Sequence, residues 1–161
     1  MAKIPFVGLH AHSGLSLNDG LGYPQDHMDF AYENDGNALA LTDHGHMNGL
    51  PYQVLHARKM KASGKNFKPI FGVEAYFNPS LEQWREEYEK AKQEKKKGIK
   101  NEIELSIEDE RASKQKVVDI LKKRNHLILI AQNQTGLNNI FKLVSESYKD
   151  ENFYRYPRID Y

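Results

Sequence analysis

The sequence contains no cysteine. A disulfide framework is excluded, and so is any metal site built on thiolates, which leaves histidine, carboxylate and water as ligands. No apolar run approaches the roughly 20 residues of a membrane helix, and the N-terminus lacks a signal-peptide pattern. A cytoplasmic location without membrane contact is therefore expected. Net charge is nearly absent as well: 23 Lys plus Arg stand against 22 Asp plus Glu, a balance of +1. No global basic field draws the chain to nucleic acid, so any such contact must be local. What remains is a chain of 161 residues, 39% hydrophobic and 28% charged. That composition and length suit one globular domain with a real core. It shows no internal repeat and no low-complexity linker.

The stretch Leu9-His10-Ala11-His12-Ser13 organises the rest. It follows an apolar run, Ile4 to Leu9, that reads as a buried strand entering a polar turn. On an extended chain His10 and His12 project from the same side, where two neutral imidazoles can hold one divalent ion. A glycine-rich loop over 14–22 carries Asn18 and Asp19. Pro24 is placed to open a helix to about Asn34. Ala38 to Leu41 is too short and apolar for a helix and reads as a second strand, followed at once by Thr42-Asp43-His44-Gly45-His46. A helix from about Leu50 to Ala62 ends at Ser63-Gly64. Pro69 to Val73 forms a third strand with Glu74 at its end. Apolar strands separated by amphipathic segments predict β-α units and a mainly parallel sheet, an α/β fold.

From Glu82 to Arg124 the composition shifts, with 24 of 43 residues charged. Glu86 with Lys90 and Glu89 with Lys92 hold helical spacing, and Lys95-Lys96-Lys97-Gly98 is expected to close that helix. This reads as a solvated charged segment, with Trp84 as a packing residue. A second helix over about Ile107 to Arg124 puts Val117, Ile120 and Leu121 on one face. His126 opens a fourth strand to Ala131. Thr135 can cap a helix carrying Leu137, Ile140, Phe141, Val144 and Tyr148 at helical spacing. The tail from Phe153 to Arg158 is aromatic and basic, without clear secondary structure.

Polar residues collect at the predicted strand ends: His10, His12, Asp43, His44, Glu74 and His126, with Asp19 in the first loop. In β/α architectures those ends form the site face. His126 precedes its apolar run, so whether it reaches that face stays open. Four histidines and a few carboxylates suit a multinuclear Zn, Mn or Fe site. Glu74 can bridge two ions about 4 Å apart, the arrangement used in phosphoester hydrolysis. Asp43 can orient a ligand histidine from behind. His46 could line the pocket, whereas His27 and His56 fall inside helices and read as ordinary residues.

These blocks resemble the PHP (polymerase and histidinol phosphatase) family, in the form found at the N-terminus of bacterial DNA polymerase III alpha subunits. The resemblance is carried by Phe6 to Ser13, Ser16 to Gly20, Ala38 to Gly45, Lys68 to Tyr76, His126 to Asn133 with the Gly136-Leu137 helix, and Phe153-Tyr154 with Pro157 to Asp160. It implies a distorted (β/α)7 barrel with up to three metals. Of the family's nine ligand positions, six map onto His10, His12, Asp19, His44, Glu74 and His126. By analogy His10, His12 and Glu74 share one metal, Glu74 bridges to a second held with His126, and Asp19 and His44 belong to a third. The remaining three positions lie beyond Tyr161, so the chain looks like the N-terminal portion of a PHP domain over 1–161. The barrel is then incomplete, with the first strands and helices only, and residues 82–123 form an inserted charged helical segment. An open barrel leaves a strand edge that expects a partner chain or dimer.

The implied function is metal-dependent 3′–5′ phosphodiester hydrolysis in DNA replication. Its partners would be DNA, replisome subunits and the remainder of the alpha chain, on the same or a split polypeptide. With ligands missing, this chain alone is expected to be weakly active or inactive. A free-standing PHP phosphoesterase acting on a small phosphomonoester is one alternative. A non-catalytic structural or docking module is the other.

Overall fold

The computed structural model describes residues 6–100 and 107–161, with side chains except at 95–100 and 107–110. In chain order the elements are α1 (Pro24–Glu33), β1 (Ala38–Leu41), α2 (Leu50–Ala62), β2 (Lys68–Phe77), α3 (Leu81–Lys100), α4 (Ile107–Lys122), β3 (Asn125–Ile130), α5 (Gln134–Ser147), β4 (Phe153–Tyr154) and β5 (Tyr156–Ile159). They group into two compact units, Met1–Ala75 with His126–Glu146, and Tyr76–Asn125 with Ser147–Tyr161.

In the first unit β1 pairs in parallel with β2, from Ala38 opposite Lys68 to Leu41 opposite Phe71. All four β1 residues are buried, which is what a strand covered on both faces requires of Ala-Leu-Ala-Leu. The expected first strand lies partly outside the described residues; from Phe6 onward it contributes one parallel bridge, Gly8 to Leu39. Pro24 opens α1 as expected, and the Tyr23 N–H donates to Asp26 Oδ2 at 2.7 Å, so an acidic side chain in the first turn reaches back to the residue before the helix. Met28 of α1, Met60 of α2, and Leu39, Leu41 and Phe67 form the core, with Ala31, Tyr32 and Ala57 packed on it. β3 also pairs with β2. The Ala131 N–H donates to Phe71 O, while His126 meets Glu74, so β3 runs in the opposite sense to β2. Gly72 permits the approach: a Cβ there would sit 2.6 Å from Leu129 O. The helix after β3 is capped by Asn133, whose Oδ1 accepts the Gly136 N–H at 2.9 Å. Thr135, the expected cap, lies inside the first turn, because Asn133 stands at the three-residue spacing a cap needs.

In the second unit α3 and α4 pack on each other. Trp84, Tyr88 and Leu121 are buried together, with Val117 and Ile120 against them, and Trp84 Nε1 donates to Ile120 O at 2.9 Å. Gly98 does not end α3, which runs on to Lys100. One glycine costs about 1 kcal/mol, an amount that surrounding Glu, Lys, Gln and Ala can absorb. The tail is ordered into strands: β4 and β5 form an antiparallel hairpin with Arg155 at φ 61°, and β5 pairs in parallel with the end of β2 through Tyr76 and Phe77. That pairing partner is remote in sequence and left no local signal. Arg158 is fully buried, donates to the carbonyls of Leu121, Tyr154 and Tyr156, and stacks 4.2 Å from the Trp84 ring centre. Burial, with the nearby Arg124 cation, lowers its pKa to about 10.

Candidate metal centre

The site assembles where β1 ends beside the later part of β2; Glu74, expected at a strand end, lies inside β2, which runs on to Phe77. Because the two strands are parallel, Asp43 and His44 emerge beside Glu74, and His44 forms a parallel bridge with Glu74. The Gly45 N–H donates to Glu74 O at 2.8 Å, and the Glu74 N–H donates to Asp43 O at 3.2 Å. On the other side of β1, the Ala40 N–H donates to Gly8 O at 2.9 Å and the Thr42 N–H to Ala11 O at 2.8 Å, which brings His10 and His12 level with these residues. The reversed sense of β3 resolves the position of His126. The first residues of β3 lie beside the far end of β2, and His126 reaches the same point from there.

Glu74 is the centre of convergence. Its Oε2 lies 2.5 Å from His10 Nε2 and 2.7 Å from His12 Nε2, and its Oε1 meets His126 Nδ1, with His44 Nδ1 at 3.5 Å. Asp19 Oδ2 meets His12 Nδ1 and lies 3.0 Å from His44 Nε2. The four imidazoles stand in sequence, His10 beside His12, His12 beside His44, and His44 beside His126. Exposure grades outward: the Glu74 side chain is 2% exposed, whereas those of His10, Asp19 and His126 are 53%, 46% and 46% exposed. A buried base with an open rim admits a charged substrate from solvent.

Behind this set, Asp43 is 3% exposed and holds the loops. It accepts the Ser13 N–H at 2.7 Å, the Ser13 hydroxyl at 2.9 Å and the Ser16 hydroxyl at 3.2 Å. Ser16 Oγ in turn accepts the His44 N–H at 2.9 Å. Asp43 therefore acts on the backbone that carries His12, Asp19 and His44, rather than on an imidazole ring. Ser13 and Ser16, which the strand-end argument overlooked, tie these loops together; their one local signal is two short hydroxyl residues just after the His-x-His pair. Gly20 closes the same loop, since a Cβ there would lie 2.0 Å from Ser13 O and 2.7 Å from His12 O. His46 turns away, its Nε2 3.2 Å from Leu15 O. His27 lies against Leu21 O and His56 lies 3.0 Å from Asp29, both apart from the site.

Electrostatics prepare the donors. Burial opposes the charge of Glu74, but hydrogen bonds from His10 and His12 and the fields of His44 and His126 outweigh it, so its pKa lies below the usual glutamate value. The hydrogen bond from His12 does most to hold Asp19 below the ordinary aspartate value. For His44, burial leads, and with its neighbours His12 and His126 it lowers the pKa against the pull of Glu74 and Asp19. Ionised carboxylates and a neutral imidazole are the forms that bind metal.

Three sets of donors could each hold an ion: His10, His12 and Glu74; His12, Asp19 and His44; and His44, Glu74 and His126. The donors fit. His10 Nε2 and His12 Nε2 stand 3.1 Å apart. Two nitrogens about 2.1 Å from one tetrahedral ion would be roughly 3.4 Å apart. Each pair of sets shares one residue, His12, His44 or Glu74, so these three stand between neighbouring positions.

Comparison with known proteins identifies the family of the chain. The model of the PHP domain family matches residues 8–161. The DNA polymerase III subunit alpha of Treponema pallidum is 32% identical over 160 residues, 99% of this chain and 11% of that protein. That of Aquifex aeolicus is 35% identical over 156 residues, 97% of this chain and 11% of that protein. The chain thus spans about a tenth of the length of the curated relatives it matches, in their N-terminal region. An amidohydrolase structure from Chromobacterium violaceum, 30% identical, aligns over 45% of this chain and 23% of its own with a TM-score of 0.38. With a family match that runs through every residue of the His-Asp-Glu cluster, this chain belongs to the PHP domain family.

Proposed function

We propose that this chain is the PHP domain region of a replicative DNA polymerase III alpha subunit, acting in the cytoplasm within a larger polymerase chain. Its metal centre would support 3′–5′ phosphodiester hydrolysis on DNA, with replisome subunits as further partners. The observation that carries the reading is Glu74, a buried carboxylate with two imidazoles on each oxygen. Residues 82–123 are then a charged insertion in that domain. No helix among the described residues is long and apolar enough to cross a membrane.

Bound divalent Zn, Mn or Fe would supply Lewis acidity toward phosphate and lower the pKa of water. The chain's own residues set the geometry. Glu74 offers Oε2 beside His10 and His12 and Oε1 beside His126 and His44, so two adjacent positions share one carboxylate. His10, Asp19 and His126 stand at the open rim, where a terminal phosphate can approach. Asp43, through Ser13 and Ser16, keeps His12, Asp19 and His44 in register.

The test is metal content by elemental mass spectrometry on protein purified without chelator, beside a His12→Ala variant, followed by cleavage of single-stranded DNA and of a small phosphomonoester. One or more equivalents of metal, lost in the variant together with 3′-end cleavage, is the expected result. Preferential hydrolysis of the monoester would replace the polymerase reading with that of a small-molecule phosphatase. Metal lost with a large fall in melting temperature, and no cleavage by either protein, would make the centre structural.

A further inference from the structure

Residues 44–73 contain no acidic residue and five basic ones, Arg58, Lys59, Lys61, Lys65 and Lys68. The rest of the chain holds 18 basic against 22 acidic residues. The near-neutral total therefore conceals one strongly cationic stretch, and the fold makes it a surface. The end of α2 and the turn into β2 enclose a groove of about 700 Å³ whose wall carries Arg58, Lys61, Lys65 and Lys68 around Phe67 and Pro69. Arg58 and Lys61 are three apart and share a helix face. Gly64, at φ 78°, reverses the chain so that Lys65 and Lys68 line the same groove.

Among the described residues none of the five forms an ion pair, whereas Lys90, Lys92, Lys116 and Lys123 each face a glutamate. Lys65 packs over the Tyr32 ring, 5.1 Å from its centre, and keeps its charge available. Of the acids on α1, Asp26, Asp29 and Glu33, Asp26 accepts the Tyr23 N–H and Asp29 lies 3.0 Å from His56. Lys59 and Lys61 do sit in the last turn of α2, where cations suit the negative helix pole. Lys65 and Lys68 lie beyond the helix and gain nothing from that pole. Four like charges on one concave wall repel each other, and a ligand with regularly spaced negative charge relieves the repulsion.

We propose that this groove binds the phosphate backbone of a single nucleic-acid strand, at a place sharing no residue with the metal centre. The contact is to phosphate rather than to bases. Phe67 is buried, so the groove offers charged stems and no free ring for stacking, and recognition is indifferent to sequence. It requires no metal and holds whether or not the metal centre cleaves phosphodiesters.

The experiment is fluorescence anisotropy of the 161-residue chain with a labelled mixed-sequence single strand, in EDTA, across a series of KCl concentrations. Each phosphate contact on a single strand contributes about 0.7 to the log–log salt slope. A Lys61→Gln, Lys65→Gln, Lys68→Gln variant should lower that slope by about 2 and weaken binding on the order of 100-fold at 0.1 M salt. A variant with the same charge loss at paired cations, Lys90→Gln, Lys116→Gln, Lys123→Gln, should bind as the parent does. Unchanged melting by circular dichroism guards against misfolding. Equal loss in both variants, or none in the first, overturns the proposal. Equal affinity for polyglutamate or for duplex of the same sequence overturns the single-strand assignment.

Discussion

Removing the Asp43 carboxylate should unsettle the metal centre without touching a ligand. Asp43 is 3% exposed and receives the Ser13 N–H at 2.7 Å and two hydroxyls, at 2.9 and 3.2 Å. Hydrogen bonds to a charged group are worth about 1.5–3 kcal/mol each, and an unsatisfied buried N–H costs about 1–3 kcal/mol. These terms overlap, so Asp43→Ala is expected to lose about 3–5 kcal/mol, in the range found when one partner of a buried charged pair is removed. Asp43→Asn keeps one carbonyl for the Ser13 N–H and should lose about 1–2 kcal/mol. The assay is urea denaturation in EDTA followed by far-ultraviolet circular dichroism. Trp84, the only tryptophan, belongs to the second unit, so its fluorescence reports on the wrong residues. Zinc titration of the Asn variant should show affinity reduced about 10–100-fold, as for other groups that orient ligands. A loss below about 1 kcal/mol in the Ala variant would refute the claim that Asp43 clamps these loops.

Gly20→Ala should reduce zinc affinity at least about tenfold, because its Cβ would displace the Ser13 carbonyl and the loop between His12 and Asp19; unchanged titration would contradict the close approach. Met28→Ala should cost about 3 kcal/mol in urea denaturation, since Met28 is fully buried against Leu39, Leu41, Met60 and Phe67; a cost under about 1 kcal/mol would show that the core collapses freely. In EDTA, stability should fall as the pH drops below about 6.5, because the folded pKa of His44 lies under its ordinary 6.5 and protons bind the unfolded chain first. His44→Ala should flatten that step, and stabilisation on acidifying from pH 7 would contradict it. A second decline should begin below about 4.5, where the contributions of Glu74 and Asp19, both held low in the fold, are lost as they take up protons.

Local signals located most elements. Ala38 to Leu41 read as a strand because four apolar residues can be covered on both faces only in a sheet, and Pro24 and Ser63-Gly64 marked helix boundaries because their backbone preferences act within a turn. The elements that went unread were those whose reason is distant. β4 and β5 exist because the end of β2 offers a pairing edge, and β2 extends to Phe77 for the same cause. The histidines and carboxylates could be collected as strand-end residues, but their mutual geometry could not.

The sequence by itself determined the ligand chemistry: without cysteine, a metal here must meet imidazole and carboxylate, and the spacing of His10 and His12 puts both rings on one side. It also determined the family, through ordered blocks that need no coordinates. Tertiary structure alone decided that His126 joins the site, because the sense in which β3 runs along β2 is fixed by backbone pairing across more than fifty residues of intervening chain. It likewise decided that Asp43 serves Ser13 and Ser16 rather than an imidazole, and that Arg58, Lys61, Lys65 and Lys68 share one wall. Hydrogen bonds and charges act over a few ångströms, and only the folded backbone sets which residues come that close.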